Sequence, residues 1–119
     1  MVKQVIVVNT NVPMSVGRLA AQGAHASIAI FLDKGKWKDD STFEIEDLTP
    51  DMRYWMDESF TKVVLQVHGK NKLLGLAETA KNSNLPVSVI EDDGFTTAIA
   101  IGPCPNELVD PITRSLSLL

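Results

Sequence analysis

Lys3 to Asn9 reads KQVIVVN, a nearly unbroken β-branched run with no polar alternation. Such a run suits a strand buried on both faces, which in turn requires cover on each side of its sheet. The chain that follows supplies it. Asn9, Thr10, Asn11 and Pro13 make a turn, and Ser15 is available to cap a helix from about Ser15 to Leu32. Thr61 to Val67 is a second strand, Asn71 to Ser83 a helix stopped before Pro86, and Val87 to Ile90 and Thr97 to Gly102 two further strands. The short acidic turn between those last two demands an antiparallel hairpin, because a parallel return needs a crossover of about a dozen residues. Pro103 to Glu107 start a final helix, which Pro111 is expected to bend, so that its first turn and the remainder can be separate pieces. The predicted architecture is therefore α/β, a single layered domain over residues 1–119, with a mixed four-stranded sheet and helices on both faces.

Between Asp33 and Asp47 neither helical nor strand periodicity is visible, and the stretch reads as a surface excursion carrying Lys36, Trp37 and Lys38. Thr49, Pro50 and Asp51 then supply an N-cap, an N1 proline and a first-turn acid for a short helix. The net charge is −4, but nine acidic residues against four basic ones lie between Asp33 and Glu58, so the remainder is close to balance. A weakly basic face elsewhere remains compatible with a phosphate-bearing partner. No run of about eighteen apolar residues exists to cross a membrane and no signal-peptide pattern begins the chain, so a cytoplasmic location is expected. The single cysteine, Cys104, has no partner for a disulfide or a zinc site, and His68 reads as a strand-end polar residue.

The first helix carries the chemistry-bearing residues. Arg18, Gln22 and His25 stand at i, i+4 and i+7, one narrow stripe, opposite an expected packing face of Val16, Leu19, Gly23, Ala26, Ser27 and Ile30. Gly17 and Gly23 are costly in a helix interior, which predicts a steric reason for each. A second polar cluster, Asp92, Asp93, Gly94, Thr96 and Thr97, sits at the turn between the last two strands. Both clusters lie at strand ends, where α/β sheets bind ligands. From the residues alone, a surface stripe or a satisfied core histidine is the commoner reading of the first cluster, and simple turn residues that of Asp92, Asp93 and Gly94. No phosphate-binding glycine loop, nucleophile elbow or HExxH pattern is present.

Val5 to Val8, Met14 to Ala26 (MSVGRLAAQGAHA), Lys62 to Leu65, Leu85 to Val87 and Ala100 to Pro103 together resemble the peptidyl-tRNA hydrolase family of archaeal and eukaryotic type, in order along nearly the whole chain. The resemblance implies a mixed sheet flanked by helices, commonly a homodimer, that hydrolyses the ester between a peptide and the ribose of tRNA. It implies Arg18, Asp92 and Thr97 as catalytic residues, with Gln22, His25 and Thr96 contacting substrate. No metal and no cofactor is implied, since an acyl ester needs only an oriented water and a stabilised oxyanion. The chain departs from the family in having Arg18 where lysine is usual, Asn9, Pro13 and Val16 where basic residues are common, and a shorter loop from Gly94 to Thr97. Those departures also suit a noncatalytic module on the same fold that binds tRNA, another RNA or a protein.

Overall fold

A computed structural model describes residues 1–119. The chain forms β1 (Val2–Asn9), α1 (Val16–Leu32), β2 (Gly35–Asp39), β3 (Thr42–Ile45), α2 (Pro50–Tyr54), β4 (Lys62–Val67), α3 (Lys70–Asn82), β5 (Val87–Asp92), β6 (Phe95–Pro105), α4 (Asn106–Thr113) and β7 (Ser117–Leu118). The main sheet has the order β5-β6-β1-β4-β7. Its β1 and β4 are parallel, and the remaining pairings are antiparallel, including the hairpin of β5 with β6. The sheet thus has five strands rather than the expected four. The additional strand is two residues long and is held by backbone and side-chain bonds, Leu119 N to Val64 O at 3.1 Å and Gln66 Nε2 to Leu118 O at 2.7 Å.

The β-branched run of β1 is buried because its side chains enter two separate apolar clusters. Ile6 and Val8 join residues of α1 and α2, whereas Val5 and Val7 join residues of α3 and α4. Each such side chain, once buried, contributes about 1.5–3 kcal/mol. Gln4 is fully buried among them without penalty. Its Nε2 donates to Ser27 O at 3.2 Å and Gly102 O at 3.3 Å, and its Oε1 accepts from the Ser27 hydroxyl, which fixes α1 against β1 and β6.

The excursion after α1 is a hairpin. Trp37 packs edge-on against Phe43 at 5.3 Å, and Lys38 pairs with Glu44 at 3.4 Å. The helix capped by Thr49 is present, and it runs on through a π-helical turn, Trp55–Ser59, before Phe60 turns left-handed at φ 51°. Pro111 does not split α4. Only the bond to the Glu107 carbonyl is forfeited, while buried Val109 and Thr113 hold the eight-residue helix to the body. The steric expectation for the α1 glycines fails: a Cβ at Gly17 would meet nothing within 4 Å, and one at Gly23 would make an ordinary 3.9 Å contact with Ile6.

Cys104, near the end of β6, is buried in the cluster that α3 and α4 cover, and its surroundings determine its chemistry. Burial first, and then the charge of Asp51, push the thiol from its ordinary 9.0 up to about 11. A thiol-specific alkylating reagent at pH 8 should therefore leave the native protein unmodified and label it on unfolding. Because the folded value is the higher one, this site favours folding below pH 9 and that advantage is lost as pH rises from about 9 through about 11. Denaturant titrations across that range should show a fall in stability that is smaller in Cys104→Ala.

Candidate active site

The C-terminal ends of β1, β4 and β5 share one end of the sheet, because β1 and β4 are parallel and two antiparallel steps through β6 return β5 to the same direction. Helix α1 starts at this end. The Ser15 hydroxyl accepts from Arg18 N at 3.2 Å and fixes the helix start, so Arg18 and Gln22 occupy successive turns beside the β5–β6 hairpin. That hairpin is tight because Asp93 and Gly94 both take positive φ, 53° and 80°, the primed geometry that matches the twist of the flanking strands.

Within this frame Arg18, Gln22, Asp92 and Thr97 form one continuous network. Arg18 Nη2 and Gln22 Nε2 each donate to Asp92 Oδ2 at 3.0 Å. The Thr97 hydroxyl donates to Gln22 Oε1. The direction of each bond follows from the acid: an ionised carboxylate only accepts, so Gln22 must turn its nitrogen toward Asp92 and its oxygen toward Thr97, which must then donate. Arg18 and Asp92 are partly exposed, whereas Gln22 is 7 % exposed and Thr97 is closed off from solvent. Two members of the network thus meet solvent and two hold them from behind.

The register of the β5–β6 hairpin shifts where Ile90 faces Ala98 and Glu91 faces Thr96, which leaves Thr97 as the extra residue on β6. A bulge re-aims consecutive side chains that a regular strand would send to opposite faces. Thr96 joins the site through its backbone: its carbonyl accepts from Asn9 Nδ2 at 3.1 Å, and its buried hydroxyl meets no partner in the protein. His25 is not brought into the network. It shares the Arg18 stripe but lies seven residues further on, about 10 Å along the helix axis, and is exposed.

The packing face of α1 keeps Gly23, Ala26 and Ile30 as expected, with Leu19 and Ser27 half-buried, but it is turned toward Gln22 and away from Val16. The buried arc includes Gln22, Ala26, Ala29 and Ile30, while Val16 is 84 % exposed. The helix is rotated so that Gln22 faces the protein, leaving Val16, Ala20, Ala24 and Ile28 outward.

Asn9 is the residue whose importance the sequence understates. It is buried at the end of β1, and its Oδ1 accepts from Asn11 N and Gly69 N, both at 3.0 Å, while its amide holds Thr96. Asparagine ending a buried strand before a turn was the available signal. His68 closes β4 with its Nδ1 3.3 Å from the Thr10 hydroxyl. No group of three or more His, Cys, Asp or Glu side chains comes together in a way that could hold a metal ion, and no helix is long and apolar enough to cross a membrane.

A family profile described as "Peptidyl-tRNA hydrolase PTH2" matches residues 2–119. A peptidyl-tRNA hydrolase of Halobacterium salinarum is 41% identical over 123 residues, covering 98% of each chain. One of Saccharolobus islandicus is 33% identical over 131 residues and covers both chains completely. With the match extending from β1 to the last residue, and relatives of this identity aligned along their whole lengths, the chain belongs to the PTH2 family of peptidyl-tRNA hydrolases.

Proposed function

We propose that this protein hydrolyses the ester joining a peptide, or an N-blocked amino acid, to the ribose of tRNA. The observation that carries this reading is the meeting of Arg18 and Gln22 on one carboxylate oxygen of Asp92. With both bonds on Oδ2, Oδ1 is free to accept a proton from water. As that water adds to the ester carbonyl, Asp92 takes its proton and the unused N–H groups of Arg18 stabilise the oxyanion. The C–O bond to the ribose then breaks, and the proton passes from Asp92 to the departing oxygen. Peptide acid and free tRNA result, with no covalent intermediate. Arginine serves here as a fixed charge, since its guanidinium does not release protons near neutrality.

Gln22 and Thr97 are positioning residues in this scheme. Gln22 orients Asp92, and buried Thr97 orients Gln22 rather than touching the oxyanion. His25 contacts substrate beyond the reacting ester, and Thr96 supports the site through its carbonyl. Release of a labelled peptide from peptidyl-tRNA tests the reading. Turnover that depends on the tRNA is expected. Absence of turnover with salt-dependent tRNA binding would instead indicate a noncatalytic module, and equal turnover of simple esters would remove tRNA from the assignment.

The division of β1 side chains between two apolar clusters supports a sheet covered by helices on both faces. The outer stripe of α1 then has no cover of its own, and with Lys62, Val64 and Leu119 it borders an apolar recess of about 680 Å³. A second copy of the chain covers it in a homodimer acting in the cytoplasm, where tRNA is charged and used. Ile28, 54 % exposed beside this recess, gives the test. Ile28→Asp should convert a dimer to a monomer in sedimentation at micromolar concentration, because an unpaired carboxylate in an apolar interface costs several kcal/mol. A wild-type monomer would reject the dimer.

A further inference from the structure

Beyond the reacting ester, the substrate of the activity proposed above carries a peptide of arbitrary sequence, and strand β5 offers it a sequence-independent track. β5 is an edge strand of the main sheet, with β6 on one side only. The phase of its ladder is set by the bond from Gly102 N to Pro86 O at 2.8 Å. Antiparallel alternation then makes Ser88 and Ile90 the residues that exchange bonds with Ala100 and Ala98, and turns the N–H and C=O groups of Val87, Val89 and Glu91 outward. A groove of about 550 Å³ runs beside this edge, bordered by Leu74, Glu78 and Lys81 of α3 and by Asp33 at the end of α1, with Val87 and Val89 in its floor. Asp92 ends the same strand.

We infer that the peptide part of the substrate adds to the outer edge of β5 as a parallel strand, its C-terminal ester at Asp92 and its preceding residues alongside Glu91, Val89 and Val87. The inference rests on the ester hydrolysis proposed above. The polarity agrees: a peptide whose carbonyl end lies at Asp92 runs in the same direction as β5. Recognition by strand addition takes its affinity from main-chain bonds, which every peptide has, and this is what an enzyme indifferent to peptide sequence requires. The edge also lacks the proline, the lysine and the outward bulge that commonly block such pairing. Residues Val87–Asp92 contain no proline and no lysine, and the one register shift falls on the β6 side. At about 3.3 Å per residue the floor from Asp92 back to Val87 accommodates roughly five or six substrate residues.

KM for tRNA carrying one N-acetylated residue, compared with tRNA carrying three- and five-residue peptides, tests this. KM should fall about tenfold between one residue and five and then level off, as expected for two or three added backbone bonds. Val89→Pro, which removes an outward N–H while leaving the ladder to β6 intact, should bring the one- and five-residue KM values together. Independently of folding, N-methylation of substrate amides should abolish the gain in one alternating register and spare it in the other. Equal KM at all lengths, or a length preference that survives both changes, overturns the edge assignment while leaving the ester hydrolysis standing. Conversion of a dimer to a monomer by Val89→Pro would assign the edge to a second copy and overturn it as well. No hydrolysis at any length removes the activity and the edge assignment together.

Discussion

Asp92→Asn is expected to lower kcat on peptidyl-tRNA by about 10²–10⁴-fold, with a much smaller change in KM. The substitution is nearly isosteric, so the site should retain its shape. Its chemistry should not survive. Arg18 Nη2 and Gln22 Nε2 are both donors, and each stands 3.0 Å from Oδ2. An asparagine must turn its oxygen toward them and present its amide where the wild type offers Oδ1 to water. That amide donates and does not accept a proton. Arg18→Ala should cost about 10²–10³-fold in kcat through loss of oxyanion stabilisation, and the double variant should lose less than the product of the two because both act on one step. Thr97 separates positioning from chemistry. Thr97→Ser keeps the donor to Gln22 Oε1 and should retain activity, whereas Thr97→Val strands that oxygen in a buried site and should lower kcat. Full activity in Asp92→Asn would remove Asp92 from the reaction.

The parts of this site that were legible in the sequence are those fixed by short-range geometry. Helical spacing put Arg18 and Gln22 one turn apart, and the brevity of the Asp92 to Thr97 connection forced an antiparallel hairpin. That the two would meet came from family resemblance, because a separation of 74 residues between Arg18 and Asp92 leaves no periodic trace. His25 shows the limit of a helical wheel. Angle around the axis aligns it with Arg18, but rise along the axis takes it beyond the reach of Asp92.

The β2–β3 hairpin escaped for a different reason. Each strand has too few apolar residues to show a period, and the pattern emerges only across the pair, where Trp37 faces Phe43 while Lys36 and Lys38 reach Glu46 and Glu44. The usable signal was the local turn, in which Asp39 Oδ1 accepts from Ser41 N at 2.9 Å. Rotation of α1 could not be read from its sequence because Val16, Ala20, Ala24 and Ile28 form an apolar stripe as good as the one that is buried. Two apolar stripes on one helix leave its orientation to tertiary contacts, and Gln22 follows whichever stripe is chosen.

Asn9→Ala is expected to destabilise the fold by about 3 kcal/mol, a cost out of proportion to the side chain removed. Three backbone groups from three different segments depend on this one carboxamide: Asn11 N from the turn into α1, Gly69 N from the turn into α3, and the Thr96 carbonyl from the β6 bulge. Deletion leaves all three without their partner. Asn11 is exposed and regains water, which holds the cost near the lower end, but Thr96 is buried and does not. For a domain of this size the loss corresponds to a fall in Tm of about 10 °C or more. Asn9→Asp distinguishes the hydrogen bonds from the loss of volume. It preserves size and both acceptor bonds, yet turns a carboxylate toward the Thr96 carbonyl and should be at least as destabilising. Because Thr96 precedes Thr97 directly, loosening its carbonyl also releases the hydroxyl that orients Gln22. Residual folded Asn9→Ala, assayed well below its Tm, should therefore show reduced kcat with bound tRNA retained. Stability within 1 kcal/mol of wild type for both variants would mean that water replaces the carboxamide, and that the strand end does not depend on it.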